Sequence, residues 1–388
     1  MNRSPSTSPR ARARIAGIPV SFHWTSAIIG GFVWYLLATA ILPGADGETD
    51  GALMLLAVLG TAAFGGSILA HELGHALTAR RFGLGVTGIS LELLGGSARL
   101  ERDPWRPRQL LAVAAAGPAT SIALGATGLG LSAAFGAVGA PSPLVTLALW
   151  LGGANLVLGV FNLLPGLPLD GGRILQALLW WRSGNEARAT VNAARAGRVL
   201  GYGLMAYGAA GVLGAAPAGL WTLALGWFIQ LAARGEQLGA EATLTFSGLT
   251  VADVMTSPVD CVQDHRSVGE LADELGHGGH STYPVQAFSG RIVGMITLDH
   301  LRLPAGLDAT LTSVRERMTP SSHLAWASPD EPLVDVLRRA PVTTAGRILV
   351  GAEDSLVGIV TPTDLQRVAR VRRTLGQRER HAVPQPTR

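Results

Sequence analysis

Apolar stretches close to the length of a membrane-spanning helix dominate the chain up to about residue 235. A helix needs roughly 20 apolar residues to cross the hydrocarbon core of a bilayer. Beyond residue 245, short apolar runs alternate with charged and turn residues, as in soluble α/β proteins. The pattern therefore predicts a polytopic α-helical membrane protein of about six spans, followed by a soluble α/β domain. The predicted spans cover residues 24–42, 53–81, 110–135, 144–164, 199–214 and 217–233.

Between the second and third spans, residues 83–100 follow a different pattern. The stretch GLGVTGISLELLGGSARL is short, interrupted by glycines and loosely alternating. Alternation of apolar and polar residues is typical of strands rather than helices. We therefore predict a short re-entrant β-hairpin here.

The arginines set the predicted orientation in the membrane. They crowd the N-terminal tail, residues 80–108, residues 182–198 and the segment after the last span, whereas the intervening loops on the opposite side contain none. Basic loops stay on the cytoplasmic side. Six spans therefore place both termini in the cytoplasm, in a multi-pass protein of the inner or plasma membrane.

Composition narrows the classes of function. The chain of 388 residues is 48% hydrophobic and only 15% charged, which is too apolar for an ordinary soluble protein. Its net charge of +4 gives no reason to expect nucleic acid as a partner, and the expected surroundings are a lipid bilayer. A single cysteine, Cys261, excludes an intramolecular disulfide and a thiolate metal cage.

The motif HELGH, residues 71–75, lies at the end of the second predicted span. Positions i and i+4 share one face of a helix, so His71 and His75 can bind one zinc ion. Zinc makes water a nucleophile at neutral pH, and Glu72 is placed to accept its proton. A chance match is the alternative interpretation. Ionisable groups beside lipid are unfavourable unless they are compensated, which favours a metal as their partner.

A catalytic zinc ion usually has three protein ligands and one open position. Asp170, in NLLPGLPLDGGR, follows two prolines at the cytoplasmic end of the fourth predicted span, at a depth similar to that of the histidines. The two glycines after it permit close backbone approach. Asp170 is therefore the predicted third ligand, ahead of Glu92 and Glu101. Its alternative role is to cap a helix that starts near Arg173.

These two motifs, together with AAGPATS at 115–121 and GIPVSFHW before the first span, resemble the bacterial branch of the site-2 protease family of intramembrane zinc metalloproteases. The resemblance covers about residues 15–235. It implies zinc as cofactor and a site composed of the zinc ligands His71, His75 and Asp170, the general base Glu72, and Asn162, which stabilises the oxyanion or holds the substrate.

Two further expectations accompany this resemblance. The family often has an asparagine where this chain has Ser121, and we assign that residue to a packing position whose change leaves the metal site intact. A protease in a membrane must also unwind its helical substrate, and an exposed strand edge captures an unwound segment by strand addition. The segment LELLGGSARL, with Gly95 and Gly96, is the candidate for substrate binding. The alternative is a plain connector in the bilayer interface.

From residue 249 the chain contains a repeat of about sixty residues. Each copy carries V-x-x-x-M-T, an amphipathic helix, and a strand–turn segment ending in G-[IM]-[IV]-T. The repeat resembles a tandem pair of cystathionine-β-synthase-type (CBS) domains over about 249–372. This resemblance implies a pseudo-twofold unit that often binds adenosine nucleotides, and through which the chain is able to form a homodimer.

The resemblance places the ribose-binding aspartate of CBS domains in G-x-x-T-x-x-D. The second copy matches it with Gly358, Thr361 and Asp364, whereas His300 stands at the corresponding position of the first copy. At most one adenine-nucleotide site is therefore expected to be intact. A purely structural or dimerising module is the alternative.

The predicted function is hydrolysis of a peptide bond in or near a transmembrane segment, under regulation by the CBS pair. The resemblance implies single-span substrates such as membrane-bound anti-sigma factors. The alternatives are a non-enzymatic transporter or channel gated by the CBS pair, and an inactive protease-like scaffold.

GHGGH at 276–280 is assigned to a loop rather than a metal site. The predicted organisation is a basic cytoplasmic tail 1–14, a metalloprotease domain 15–235, a linker 236–248, CBS repeats 249–303 and 310–372, and a disordered tail 373–388.

Overall fold

The structure is a computed structural model that divides into two compact units, Met1–Glu241 and Ala242–Arg388. Most of the predicted N-terminal tail and the GHGGH stretch lie outside the described residues. The described residues are 13–42, 50–92, 95–101, 104, 106–216, 218–275, 281–302, 308–339 and 347–382.

Seven helices are described in or starting from the first unit. Among the described residues, α2, α3 and α4 are long and apolar enough to cross a membrane, and Thr25–Ile41 forms a shorter apolar helix whose last turn is π-helical. Residues 199–213 and 218–233 of the last two predicted spans belong to the longer helices α6 and α7, and the count of six stays a prediction. The helices are α1 Thr25–Leu36, α2 Gly51–Arg81, α3 Pro107–Ala137, α4 Ser142–Asn162, α5 Asp170–Ser183, α6 Glu186–Leu213 and α7 Ala218–Phe246.

A four-stranded sheet packs against α2. Its order is β1-β2-β3-β4, with β2 parallel to β3 and β3 antiparallel to β4. Ile18 and Ile89 of the sheet form a buried cluster with Ala76 of α2, one residue after the HELGH motif. The predicted pair of strands is present as antiparallel β3 and β4, whereas its re-entrant position in the membrane stays a prediction. The strands are β1 Ala13–Ile15, β2 Ile18–Phe22, β3 Val86–Glu92 and β4 Gly95–Leu100.

Arg80 ties the sheet to the end of α2. Its guanidinium donates to the carbonyl oxygens of Ala16 (2.6 Å) and Gly17 (3.3 Å). Both residues lie in the β1–β2 turn and have positive φ angles of 50° and 73°. This contact and the Ile18 cluster fix the sheet beside the helix that carries the histidines.

The second unit contains two copies of one β-α-β-β arrangement. In each copy the first strand runs parallel to the second, and the second runs antiparallel to the third. The first copy comprises β5 Val262–Gln263, α8 Val268–Leu275, β6 Thr282–Gln286 and β7 Ile292–Thr297. The connecting segment holds α9 Val314–Arg317 and β8 Thr319–Pro320, and the second copy comprises β9 Ala325–Ala327, α10 Leu333–Arg339, β10 Ile348–Ala352 and β11 Ser355–Val360, followed by α11 Pro362–Ala382.

The repeated motifs of the two copies contact each other crosswise. A Cβ added to Gly294 would lie 2.6 Å from Sδ of Met318, and one added to Gly358 would lie 2.7 Å from Sδ of Met255. The V-x-x-x-M-T segment of each copy therefore packs on the G-[IM]-[IV]-T strand of the other copy.

Two predicted boundaries differ from the structure. Helix α7 continues to Phe246, so most of the predicted linker 236–248 is helical. Helix α11 continues to Ala382, so residues 373–382 are helical rather than disordered, whereas 383–388 lie outside the described residues. In both places charged residues are spaced along a helix that continues beyond the predicted boundary.

Candidate metal centre

One turn of α2 carries both histidines of the HELGH motif. His71 and His75 lie four residues apart and share a face of the helix. Their Nε2 atoms are 3.2 Å apart, and the two rings meet edge to face. His71 is only 5% exposed, which places the pair inside the first unit.

Asp170 reaches the histidines from a distant part of the chain. Its Oδ2 atom lies 3.1 Å from Nε2 of His71 and 3.3 Å from Nε2 of His75. Helix α5 starts at Asp170 itself, and its N-cap position is occupied by Leu169. The carboxylate thus faces the histidines instead of capping a helix.

The connection between α4 and α5 depends on two glycines. A Cβ on Gly171 would lie 2.2 Å from the carbonyl oxygen of Leu163, and one on Gly172 would lie 2.1 Å from the backbone nitrogen of Leu167. No side chain fits at such distances. Glycine at both positions lets the chain fold back on itself and direct Asp170 towards α2.

The hydrogen bond at Nδ1 of His75 indicates what its Nε2 atom presents to a metal ion. Nδ1 of His75 is 2.7 Å from the carbonyl oxygen of Val113, which can only accept, so Nδ1 carries the proton and Nε2 presents a lone pair. At 3.3 Å, Nε2 and the carboxylate of Asp170 are compatible when a proton or a metal ion lies between them. Imidazole and carboxylate ligands suit zinc, so the donor set fits this metal. Among the described residues, His71, His75 and Asp170 form the group able to hold a metal ion.

Gly117 on α3 forms the opposite wall of this site. A Cβ on Gly117 would lie 2.2 Å from Nε2 of His75 and 2.6 Å from Nε2 of His71. The missing side chain therefore leaves space directly in front of the ligand atoms. Sequence reasoning gave Gly117 no chemical role, although it belongs to the AAGPATS motif.

Ser121, which the sequence assigned to a packing position, contacts His71 of the candidate metal centre. Its side chain is fully buried, and its Oγ lies 2.8 Å from Nδ1 of His71. The two residues are fifty positions apart, and no local pattern indicates that this face of α3 meets α2.

Glu72 lies between the helix and the sheet. It is 7% exposed, and a Cβ on Gly96 would lie 2.3 Å from its Cγ and 2.9 Å from its Oε1. Strand β4 is the last strand of the sheet as described, and Gly95 pairs with Glu92 at its start. The outer strand thus passes directly beside the glutamate, and glycine at 96 permits this approach.

A cavity of about 1080 Å³ opens beside these groups. Its polar part holds the histidines, Glu72, Asp170 and Asn162, which is the last residue of α4. Most of its remaining lining is apolar and comes from α1, α2 and α3, with Leu158 contributed by α4 and Phe228 by α7. The chemistry-bearing residues therefore line a partly open, mainly apolar cavity.

His23, which precedes the first span, and the candidate ligand Glu101 lie away from this group. His23 is exposed, and its Nδ1 is 2.8 Å from Oγ1 of Thr25. Glu101 packs against Gly85, where a Cβ would lie 2.1 Å from its Oε2. Neither residue belongs to the metal-binding group.

In the second unit, Asp364 is buried and its carboxylate is already engaged. Oδ1 accepts from Oγ1 of Thr256 (2.8 Å) and lies 3.0 Å from the guanidinium of Arg367. Oδ2 accepts from the backbone N–H (3.0 Å) and the hydroxyl (2.6 Å) of Thr361. All four acceptor positions of the predicted ribose contact therefore have donors within the chain.

His300 takes the corresponding place in the first copy. Its Nδ1 accepts from the backbone N–H of Thr297 at 3.2 Å, as Asp364 accepts from Thr361. Burial and the nearby Arg317 hold the pKa of His300 below its ordinary value, so the ring stays a neutral acceptor. The histidine therefore replaces the aspartate as a cap of the turn.

Comparisons with known proteins agree with this picture. The model of peptidase family M50 matches residues 59–138 and 132–204, and the CBS domain model matches 251–303. Rip3 of Mycobacterium tuberculosis, which is named as a zinc metalloprotease, is 40% identical over 96% of this chain and 94% of its own length. A zinc metalloprotease of Methanocaldococcus jannaschii is 28% identical over 91% of this chain and 94% of its own length. The solved site-2 protease of Methanocaldococcus jannaschii aligns with a TM-score of 0.41 and 28% identity over 58% of this chain and 93% of that one.

The class defined by fold and site is a membrane-embedded zinc metalloprotease with a CBS region that follows its helices in the sequence. The chain belongs to peptidase family M50, the site-2 protease family. It is thus an enzyme, and its activity is intramembrane proteolysis.

Proposed function

We propose that His71, His75 and Asp170 hold one zinc ion and that Glu72 is the general base of peptide-bond hydrolysis. The observation that supports this best is the convergence of two ring nitrogens and one carboxylate oxygen within 3.1–3.3 Å of each other. Gly117 leaves the space that an ion needs at these atoms.

The surrounding residues supply the remaining chemistry. Zinc in such a site polarises the scissile carbonyl and makes water nucleophilic at neutral pH. Glu72 accepts the proton of the attacking water and passes it to the leaving amine. Asn162 lines the same cavity, from where its amide donates to the carbonyl oxygen or holds the substrate. The apolar walls keep bulk water away and strengthen these interactions.

Strand β4 binds the substrate in this proposal. A helical membrane segment hides its peptide bonds in its own hydrogen bonds, and strand addition exposes them. The outer edge of β4 passes Glu72 at Gly96, so an extended segment paired there would run alongside the general base. Gly95 and Gly96 add no side chain that would hold the substrate backbone away.

The test uses the full chain reconstituted in liposomes with a single-span membrane protein that the wild type cleaves. Glu72→Gln should lower the cleavage rate at least 100-fold, because general-base catalysis contributes on the order of 10²–10⁴. Its zinc content should equal that of the wild type. Full cleavage by this variant would reject the mechanism. Asp170→Ala should lose zinc, and undiminished zinc would reject Asp170 as a ligand.

The proposed substrates are single-span membrane proteins such as anti-sigma factors, cut near the cytoplasmic side in regulated intramembrane proteolysis. In this proposal the protein spans the cell membrane six times and keeps both termini in the cytoplasm. The support is the distribution of arginines along the sequence and the three apolar helices α2, α3 and α4.

The CBS pair regulates the protease in this proposal, with an adenine nucleotide as candidate signal and a homodimer as candidate assembly. Thr361 and Asp364 are the nucleotide contacts. Oδ1 of Asp364 accepts from Thr256 and lies 3.0 Å from the guanidinium of Arg367, so a ribose hydroxyl must displace one of these two donors. In this proposal it displaces the threonine hydroxyl, and nucleotide binding competes with the Thr256–Asp364 hydrogen bond.

This competition makes the nucleotide proposal testable. Thr256→Val removes the competing hydroxyl and keeps the volume, so it should tighten ATP or AMP binding several-fold, whereas Asp364→Ala should abolish it. Calorimetry at millimolar nucleotide measures both on the full chain. Undetectable binding by the wild type and by Thr256→Val would favour a purely structural or dimerising CBS pair.

A further inference from the structure

One face of α3 contacts both histidines of the metal site. Val113, Gly117 and Ser121 follow one another at intervals of four residues, so they share this face. Val113 accepts from Nδ1 of His75, Gly117 leaves room at the two Nε2 atoms, and Ser121 meets Nδ1 of His71. Helix α3 thus orients the ligands that α2 carries.

The contacts of Val113 and Ser121 with the two Nδ1 atoms differ in how far they fix the tautomer of each histidine. The carbonyl of Val113 only accepts, so the backbone alone fixes the tautomer of His75. A serine hydroxyl both donates and accepts, so the tautomer of His71 depends on the direction of the hydrogen bond with Ser121. If Ser121 donated instead, Nδ1 would be the acceptor and Nε2 would carry the hydrogen, so the neutral ring would offer no lone pair to a metal at Nε2.

We propose that Ser121 is a positioning residue for the metal: its Oγ accepts a hydrogen bond from Nδ1–H of His71, which fixes the ring and presents the Nε2 lone pair to zinc. The proposal rests on the proposed ligand role of His71. Partners of this kind around metal-bound histidines contribute about 10- to 100-fold in metal affinity.

A pair of variants with equal volume isolates the hydroxyl. Ser121→Thr keeps it and Ser121→Val replaces it by a methyl group, while both add the same bulk to a buried position. Zinc affinity is measured on the detergent-solubilised full chain by competition with a chromophoric chelator. We expect Ser121→Val to bind zinc about 10- to 100-fold more weakly than Ser121→Thr.

Ser132 provides the matched control on the same helix. It is also buried, and its hydroxyl donates to the carbonyl oxygen of Val145, away from the histidines. Ser132→Ala should leave zinc affinity unchanged. If the added bulk at 121 prevents folding, Ser121→Ala takes the place of the valine variant and should show the same loss.

The outcomes separate this proposal from the one it rests on. A wild type that binds no zinc overturns the proposed metal site. A wild type that binds zinc, together with equal affinities for Ser121→Thr and Ser121→Val, or wild-type affinity for Ser121→Ala, overturns the role of Ser121 alone.

Discussion

Gly117 shows how one missing side chain shapes the metal centre. The nearest atoms to its absent Cβ are the Nε2 atoms of His75 and His71, at 2.2 and 2.6 Å. Those two atoms are the proposed zinc donors. A methyl group would therefore occupy the volume in front of the ligands, not a gap in general packing.

We expect Gly117→Ala to lower zinc affinity at least 10-fold and to abolish cleavage with it. The matched control is Gly130→Ala on the same helix, where nothing lies within 4 Å of an added Cβ. That change should stabilise α3 by up to about 1 kcal/mol and leave zinc unaffected. Metal analysis and thermal unfolding of the two variants give the comparison. Wild-type zinc affinity in Gly117→Ala would contradict the proposed position of the metal.

At the residue scale, the sequence predicts those site residues whose possible chemistry follows from the residue type itself. HELGH predicts two ligands and a base by helical spacing, and the depth of its span makes Asp170 the predicted third ligand. Gly117 and Ser121 were not predicted as site residues, because their contacts with the histidines come from the packing of α3 on α2. Neither a glycine nor a serine in an apolar helix indicates which neighbour it meets.

At the scale of secondary-structure elements, the direction of each backbone N–H group along β4 can be derived from one hydrogen bond. The N–H of Glu101 donates to the carbonyl oxygen of Gly85, on the side of β3. Successive residues of a strand alternate in direction, so the N–H groups of Arg99 and Ser97 also face β3. Those of Ala98 and Gly96 face the outer edge, where a substrate strand would pair.

Ala98→Pro should therefore impair substrate binding without breaking the sheet. Proline is tolerated on an edge strand where its nitrogen faces outward, and it keeps the preceding residue extended. We expect KM for the membrane substrate to rise at least several-fold while zinc content stays unchanged. Arg99→Pro, which removes a donor to β3, should instead lower stability. An unchanged KM in Ala98→Pro would contradict strand addition at β4.

The elements also divide into those that local pattern predicts and those it does not. The β3–β4 hairpin follows from alternation within eighteen residues, and the structure contains it. Its parallel neighbour β2 lies more than sixty residues earlier, and the pairing of Val20 with Ile89 depends on both strands packing against α2. Such a contact has no signal within either segment.

At the scale of the whole molecule, an ion pair joins the two CBS copies. Arg291 lies just before β7 and Glu353 in the β10–β11 turn; the guanidinium bonds to the carboxylate, and the N–H of Ile292 donates to the Glu353 carbonyl oxygen at 2.8 Å. Hydrogen bonds from Arg291 and then from Ser321 hold the pKa of Glu353 below its usual value. This linkage makes the stability of the second unit sensitive to acid.

The direction of that sensitivity follows from the lowered pKa. Unfolded Glu353 takes up its proton near pH 4.3 and the folded residue only below it, so the stabilisation is complete above that pH and is lost as the pH falls. Glu353→Gln should be less stable than the wild type at pH 6 and should lose less stability between pH 5 and 3. Hydrogen exchange of the second unit in the full chain measures this. Asp330→Asn, which changes an exposed carboxylate of the same unit away from this ion pair, is the control and should follow the wild type.

The crosswise contacts of Met255 with Gly358 and of Met318 with Gly294 have a consequence for dividing the chain. A fragment that ended between the two copies would leave one methionine and one glycine-bearing strand of the remaining copy without their counterparts. We therefore expect neither copy to form a stable domain by itself, and the two copies to fold as one unit.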